Sequence, residues 1–496
     1  MHPSSAPAEL ERRGPFKGLA CRLLLIVAAS ALGGCTLGPD YRAPEVPLAA
    51  DWQAPLPHGA SRAGLADWWR QFDDPALSEL LRLAEADSPS LDQAWARILQ
   101  ARATLTSNNA DALPSLSATL TQKRGQVQEG QLRETGNMSA SGLDAAWEID
   151  LFGKLRRYRE AASTRLEARV DDWHDARVSL AAEVGDHYVQ YRGCQKRVDA
   201  LRDQAQSQRK TAALTRLSHQ AGFTSPADAA LGDASAASSA ASLTRGQSEC
   251  DLLLKSLVEL TGSEEPQLVA MLGQGPARLP SPAQLEVRAL PADLLRQRPD
   301  LAARERELAA ANAEVGATQA DRLPSLSLGG SFSVGATAGI SERSWSLGPS
   351  LSIPLFDGGQ RGAAVQGAEA AYDSALAVYR QTLRRAVREV EQALVRLDAA
   401  RRLEADAERA SAGYGAYYQA IDRNWQAGTA SLLDREVARR SALASEIELI
   451  GLQQNQVRHW IALYKALGGG WQAQLELAGA APGQAAPDRA SNEAAE

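Results

Sequence analysis

The chain has 496 residues, enough for a large core or several domains, and is 44% hydrophobic, 23% charged and only 5% aromatic. Its formal net charge of -7, with no concentrated basic patch, argues against a nucleic-acid binder. Six scattered histidines (His2, His58, His174, His187, His219, His459) lack metal-ligand spacing, and no nucleophile elbow, HExxH or P-loop appears. An enzyme, a resident metal and a cofactor are therefore not expected.

Taken in order, the chain opens on a targeting pattern. Arg12, Arg13, Lys17 and Arg22 form a positive region before a short apolar run at 23–31, too short to span a bilayer, so 1–34 reads as a signal peptide. The run ends in Leu32-Gly33-Gly34-Cys35, which resembles a bacterial lipobox with Cys35 as the lipid site. By the sorting rule for such lipoproteins, Thr36 in place of an aspartate favours the outer membrane. Cleavage removes four positive and two negative charges and leaves -7 - 2 = -9. No later apolar run is long enough for a membrane helix, so any further crossing must use strands. Residues 35–66 are rich in proline and read as a lipidated tether.

Asp74 and Pro75 suit an N-cap and first helical residue, followed by Leu77, Leu80, Leu81 and Ala84 at helical spacing. Ser88-Pro89 starts a second helix ending near Asn109. Leu116, Ala118 and Leu120 then alternate with Ser117, Thr119 and Thr121. A polar segment from Gln122 to Asn137 separates this from a second, less clean alternation through Leu143, Ala145, Trp147 and Ile149, with Asp144 and Glu148 on the opposite parity. From Lys154 to Ala221 there is no proline, and a helix of that length would reach ~90–100 Å. Faces such as Leu180, Val184, His187 and Tyr191 suit coiled-coil packing. A turn at Gly222–Pro226 leads to a second helix, ended by Thr261-Gly262. Residues 263–291 read as a linker, and 470–496 as a disordered tail.

The pattern then repeats. Leu91 to Ser117 aligns with Leu301 to Ser327 at an offset of 210, and Ala221-Gly222 aligns with Ala427-Gly428 at 206. The chain is a tandem duplication, with repeats at 67–262 and 292–469, each a helix, a strand hairpin, a very long helix, a tight turn and a long helix. The hairpin at Ser325–Leu355 is the clearest: Leu326, Leu328, Phe332, Val334, Trp345, Leu347, Leu351 and Ile353 on one parity, serines and glycines on the other. Four strands cannot close a barrel, and lipid tolerates no open edge, so strands that cross a membrane require several copies around one axis. The small polar face favours an open lumen, hence three copies or more. The expected fold class is mixed α and β: four transmembrane strands and long antiparallel coiled-coil helices per chain.

These residues resemble the TolC-like outer-membrane factors, in the lipoprotein branch that serves RND-type tripartite efflux pumps. The resemblance is carried by Leu32–Cys35, Trp68-Trp69 with Phe72 and Asp74-Pro75, Trp147–Lys154, Arg298-Pro299-Asp300-Leu301 with Ala310–Ala313, and Pro354–Gly359. It implies a homotrimer with a twelve-stranded β-barrel continued by an α-helical barrel. It also implies a lipid bilayer, a periplasmic adaptor and an inner-membrane RND transporter as partners, and a passive exit duct as the function. In the family the periplasmic tips narrow through leucine and aspartate rings. Here Leu432, Leu433, Asp434 and Glu436 are the gate candidates, with Leu433 the apolar one and Asp434 or Glu436 the charged one. The position of the family's aspartate, four residues after the leucine, holds Val437.

Cys194 and Cys250 flank the first turn. Reflection of 194 about residue 223 of an antiparallel pair gives 252, so a disulfide between them is expected. The competing readings are a duct for type I protein secretion and a periplasmic coiled-coil adaptor without a pore. The second leaves the duplicated strands and the strand-end Trp147 and Trp345 unexplained.

Overall fold

A computed structural model describes residues 36–44, 53–54, 68–129, 132–274, 278–280, 298–337 and 340–469. The signal segment 1–34, Cys35, the tail 470–496 and most of the tether and linker lie outside the described residues. Among the described residues a 3-10 turn, Trp68–Phe72, precedes eight helices: α1 (Pro75–Ala86), α2 (Pro89–Ala110), α3 (Lys154–Gln220), α4 (Pro226–Thr261), α5 (Glu265–Leu272), α6 (Pro299–Ala320), α7 (Gln360–Gln426) and α8 (Leu432–Ala466). Between them run β1 (Ser115–Glu129), β2 (Leu132–Ile149), β3 (Ser325–Thr337) and β4 (Ile340–Ser352). The duplication holds in three dimensions. Helices α2 and α6 start 210 residues apart, and α3 and α7, each of 67 residues, start 206 apart. At ~1.5 Å per residue each of these two helices is ~100 Å long. No described helix is long and apolar enough to cross a membrane.

Two segments differ from the sequence reading. The polar residues 122–129 and 132–137 are strand, because β1 and β2 stay paired in unbroken register from Ser115↔Ala146 to Glu129↔Leu132. Ladder hydrogen bonds need no apolar face, so polar residues extend a hairpin beyond its greasy part. Within the expected linker, Glu265–Leu272 forms α5, with Pro266 in its first turn and Leu268 and Leu272 buried. An eight-residue helix is marginal by itself, and here burial of the two leucines holds it.

The chain divides into two compact units. The first comprises 1–44, 99–167 and 306–377 and contains the sheet. All four strands are antiparallel in the order β1-β2-β3-β4, so β1 and β4 are the edges. Two left-handed glycines, Gly358 (φ 65°) and Gly359 (φ 92°), turn the chain from β4 into α7. Asp357 caps that helix by accepting from the Gly359 and Arg361 N–H groups at 2.9 and 3.2 Å, which holds its carboxyl below the usual range. Helices α3 and α6 meet through buried Ala161, Ala310 and Ala313, with Arg165 bonded to Glu314 at 2.5 Å on the rim. The segment at 36–44 is fastened to this junction. Arg157 Nε donates to the Leu37 carbonyl at 3.1 Å, and Asn312 Nδ2 donates to the Pro39 carbonyl at 2.8 Å. Gly38 (φ 91°) lies so close to Gly316 that a Cβ there would stand 2.4 Å from its Cα.

The second unit comprises 45–98, 168–305 and 378–496 and holds the main core. Asp74 caps α1 by accepting from the Ala76 and Leu77 N–H groups, and Leu77, Leu80 and Ala84 are almost wholly buried. Each buried leucine contributes about 1.5–3 kcal/mol. Trp68 stacks on Tyr464 at 4.6 Å, while the Trp69 ring lies against Gly185, where a Cβ would meet it at 2.6 Å. Tyr188 donates to Asp74 at 2.7 Å and accepts from Arg192 Nε at 3.0 Å; Arg192 also donates to the Leu272 carbonyl, which ties α5 to α3. Farther along α3, Cys194, Val198, Ala205, Gln208, Ala212 and Thr215 are buried. Their spacing is that of a heptad seam, which suits a left-handed supercoil. The facing seam of α4 is small: Gly232, Ser239 and Gly246 are buried, and a Cβ on Gly246 would already touch Leu201 and Val198 at 3.0 and 3.4 Å.

Candidate functional site

The first candidate surface is the sheet. In the β-register the side chains of one face line up in rows: Ala118, Leu143, Phe332, Trp345; Leu116, Ala145, Gly330, Leu347; and Trp147, Leu328, Pro349. Rows through Ser141, Val334 and Arg343 and through Ile149, Leu326 and Leu351 bound this band. Large apolar residues within it are open to the surroundings, among them Leu120, Trp345 and Leu347, the last 71% exposed. From Leu326 to Val334 is eight residues, about 26 Å along the strand and ~20 Å tall at the tilt of a barrel strand. That is close to the ~25 Å apolar belt of membrane barrels. Trp147 also donates from Nε1 to the Ala112 carbonyl at 3.0 Å, as an interfacial tryptophan with one apolar and one polar end would.

The other face is small and hydroxylated. Ser331 and Ser346 share a hydrogen bond at 2.8 Å, as do Ser333 and Ser344 at 2.7 Å, and Ser115 donates to the Ala146 carbonyl at 3.1 Å. Asp144 and Glu148, which made the first hairpin look irregular, belong to this face: Asp144 is paired with Ser117 and Ser331, and Glu148 with Ser327. The first hairpin is therefore as cleanly two-sided as the second over the apolar band. At its end Lys154 reaches Glu148 at 2.6 Å and Asp321 at 3.8 Å, and Arg361 reaches Asp321 at 3.5 Å. These groups line a small polar cavity of about 70 Å³ with Asp150, Pro324 and Ser352.

The second candidate surface is the pair of helix turns. Gly222 (φ 80°) and Gly428 (φ 77°) make the reversals, and Ser225 and Ser431 cap the following helices. The four gate candidates take different environments. Leu432 is buried, while Leu433 is 53% exposed. Asp434 completes a capping box: its carboxylate accepts from the Ser431 hydroxyl at 2.6 Å and from the Ser431 N–H at 3.1 Å. Those bonds hold its carboxyl below the usual range. Glu436 is buried and bonded to Gln208 and, at 3.2 Å, to Arg435. Val437, one turn from Leu433, is 44% exposed, so those two share an open face.

The cations beside them carried no signal in the sequence. Arg435 is buried, donates to Asp422 at 2.6 Å and Thr211 at 2.8 Å, and lies 4.6 Å from the Trp425 ring centre. Arg439 donates to Ser207 and lies over Tyr418, and burial pushes its guanidinium down from the usual value. The partners sit 13 and more than 220 residues away, beyond any local pattern. Cys194 and Cys250 are joined by a disulfide with Cα atoms 5.6 Å apart, bridging α3 and α4. Among the described residues no group of three or more potential ligands could hold a metal.

The sequence profile described as outer membrane efflux protein matches residues 80–263 and 290–469. The outer membrane protein OprJ of Pseudomonas aeruginosa is 32% identical over 482 residues, covering 94% of this chain and 98% of its own. The antibiotic efflux pump outer membrane protein ArpC of Pseudomonas putida is 31% identical over 476 residues, covering 91% and 96%. The solved outer-membrane channel OprN is similar at a TM-score of 0.79 and 32% identity, covering 88% of this chain and 100% of its own. The Campylobacter jejuni CmeC channel shares the fold at a TM-score of 0.80.

Proposed function

The chain belongs to the outer membrane efflux protein family, and from that premise we propose how its parts work as the outer-membrane channel of a tripartite RND-type efflux pump. The family is one of transport ducts, not enzymes, and its place is the outer membrane. The observation that carries the reading is the four-stranded sheet with an exposed apolar face, a hydroxylated face and two edges, β1 and β4. In hydrocarbon each unpaired backbone group costs several kcal/mol, so the edges must be closed by other copies. Three copies give twelve strands, leucines toward lipid and serines toward a wet lumen. The chain is then a homotrimer whose barrel is continued by the long helices into the periplasm.

Lipid on Cys35 anchors each subunit. The adjoining residues 36–40 are fastened by Arg157, Asn312 and the Gly38–Gly316 approach, which fixes where the anchor leaves the protein. At the helix turns Leu433 and Val437 offer an apolar constriction. Asp434 and Glu436 support it, one by capping α8 and the other by tying α8 to α3. A periplasmic adaptor meets these turns and links the duct to an inner-membrane RND transporter, which supplies the energy and selects among small molecules. The duct itself is passive.

Purified protein in detergent tests the reading. A particle of three chains that conducts ions across a planar bilayer is expected, and radiolabelled palmitate should be retained by the natural chain and lost in Cys35→Ala. A monomer that gives no conductance overturns the duct, and equal labelling of both proteins overturns the anchor.

A further inference from the structure

The hydroxylated face of the sheet carries four charged groups among its described side chains. Lys123 and Glu342 stand near one end, in rows with Met138 and with Ala140 and Gly335 respectively. They are opposite in sign and lie on the two edge strands, β1 and β4, so together they add no net charge to that end of the face. Glu148 at the other end is paired to Lys154 at 2.6 Å. Asp144 is different. It stands level with the middle of the apolar band, between the Phe332–Trp345 and Gly330–Leu347 rows of the opposite face. Its own row is Ser117, Ser331 and Ser346; its strand neighbours on that face are Gly142 and Ala146. Ser331 and Ser346 bond to each other, and Ser117 donates to the Asp144 backbone carbonyl, so no hydroxyl is committed to the carboxylate. Lys123 is six register steps away, about 20 Å along the strand.

We propose that Asp144 is the charge that sets ion preference in the barrel section: in the closed assembly its carboxylates form a ring that draws cations into the lumen and repels anions. This rests on the trimeric-duct reading above. The wall of a twelve-stranded barrel lies about 12 Å from its axis, given strand spacing and tilt, and a carboxylate reaching inward brings its charge to about 10 Å. Three charges at that distance in water enrich a monovalent cation on the axis by a factor on the order of ten, and deplete an anion equally. Among the described side chains of this face no cation lies within a Debye length of ~10 Å at 0.1 M salt to cancel this. The same screening makes the effect salt-dependent, since the length is ~30 Å at 0.01 M and ~3 Å at 1 M.

The test is the reversal potential of the trimer in a planar bilayer under a tenfold KCl gradient. The natural chain should favour K⁺ several-fold at 10 mM, with the preference fading toward 1 M. Asp144→Asn should remove most of the preference at 10 mM, and Asp144→Lys should invert it. The double variant Asp144→Asn, Ser331→Asp returns a carboxylate to the same row one strand away, and should restore it. An unchanged reversal potential in Asp144→Asn, or a double variant that behaves as Asp144→Asn, overturns the proposal. Absence of channels from the natural chain overturns the duct reading instead. If Asp144→Lys fails to assemble, the asparagine variant and its rescue still decide.

Discussion

The two-sidedness of the sheet can be tested by placing one charge at two adjacent residues. Leu347 lies in the middle row of the apolar band, four residues from Arg343 and four from Leu351, with its side chain 3.3 Å from where a Cβ on Gly330 would stand. Leu347→Arg puts a guanidinium at the bilayer midplane, at a cost of about 2–4 kcal/mol per subunit. That is a factor of roughly 30–900 in the folding equilibrium, and about 6–12 kcal/mol over three subunits. Ser346, one residue earlier, points to the other face and shares a hydrogen bond with Ser331 at 2.8 Å. Ser346→Arg introduces the same group into the wet lumen and loses about 1 kcal/mol for that bond. Outer membranes are fractionated after equal expression, and trimer is quantified on semi-native gels. The leucine variant should fall to a few per cent of the natural yield, the serine variant should keep most of it. Equal yields, or the reverse order, would refute the assignment of faces.

Three further outcomes are expected. The Cys194–Cys250 bridge closes a loop of 56 residues' separation, worth about 4 kcal/mol by loop entropy, so Cys194→Ser with Cys250→Ser should melt well below the natural chain; two alkylatable thiols in denatured, unreduced natural protein would contradict it. Gly38→Ala forces a Cβ to 2.4 Å from the Gly316 Cα in a backbone with φ 91°, and should free residues 36–44 to protease while β1–β4 stay protected; an unchanged cleavage pattern would contradict the clamp. Burial and then the nearby Asp300 raise the Asp175 carboxyl to about 6. Its folded value lies above its unfolded value, so protonation favours the fold: the group costs nothing below about pH 4, and its cost grows until the pH passes about 6, reaching roughly 3 kcal/mol at most. Asp175→Asn should therefore raise the melting temperature at pH 8 and not at pH 4; a gain independent of pH would show that charge is not the cause.

Much of this protein is fixed by local chemistry, and that part could be read directly. Asp74, Ser225, Gly222, Gly262 and Gly428 end or start helices because a cap or a left-handed turn acts within four residues. The period-two pattern of Ser325–Ser352 specifies strands for the same reason, and self-similarity at offsets of 210 and 206 specifies the duplication. Cys194 and Cys250 were within reach because an antiparallel helix pair makes separation along the chain a measure of separation in space.

Features that depend on distant partners could not be read. Strand pairing of 122–129 with 132–139 follows from register inherited along the hairpin, not from any apolar pattern in those residues. The helix α5 exists because Leu268 and Leu272 find a core built by other segments. Glu436, one of two candidates for a charged ring, is buried against Gln208, which lies 228 positions away in sequence and beside it in space. Asp144 looked like a flaw in a strand until its neighbours Ser117 and Ser331 showed that it belongs to the wet face. Sequence alone determined the long helices, the apolar parts of the strands and that they come twice, since those choices are made over a few residues. Only the tertiary structure decided which polar groups are buried and which face each charge takes, because both depend on side chains brought together by the fold.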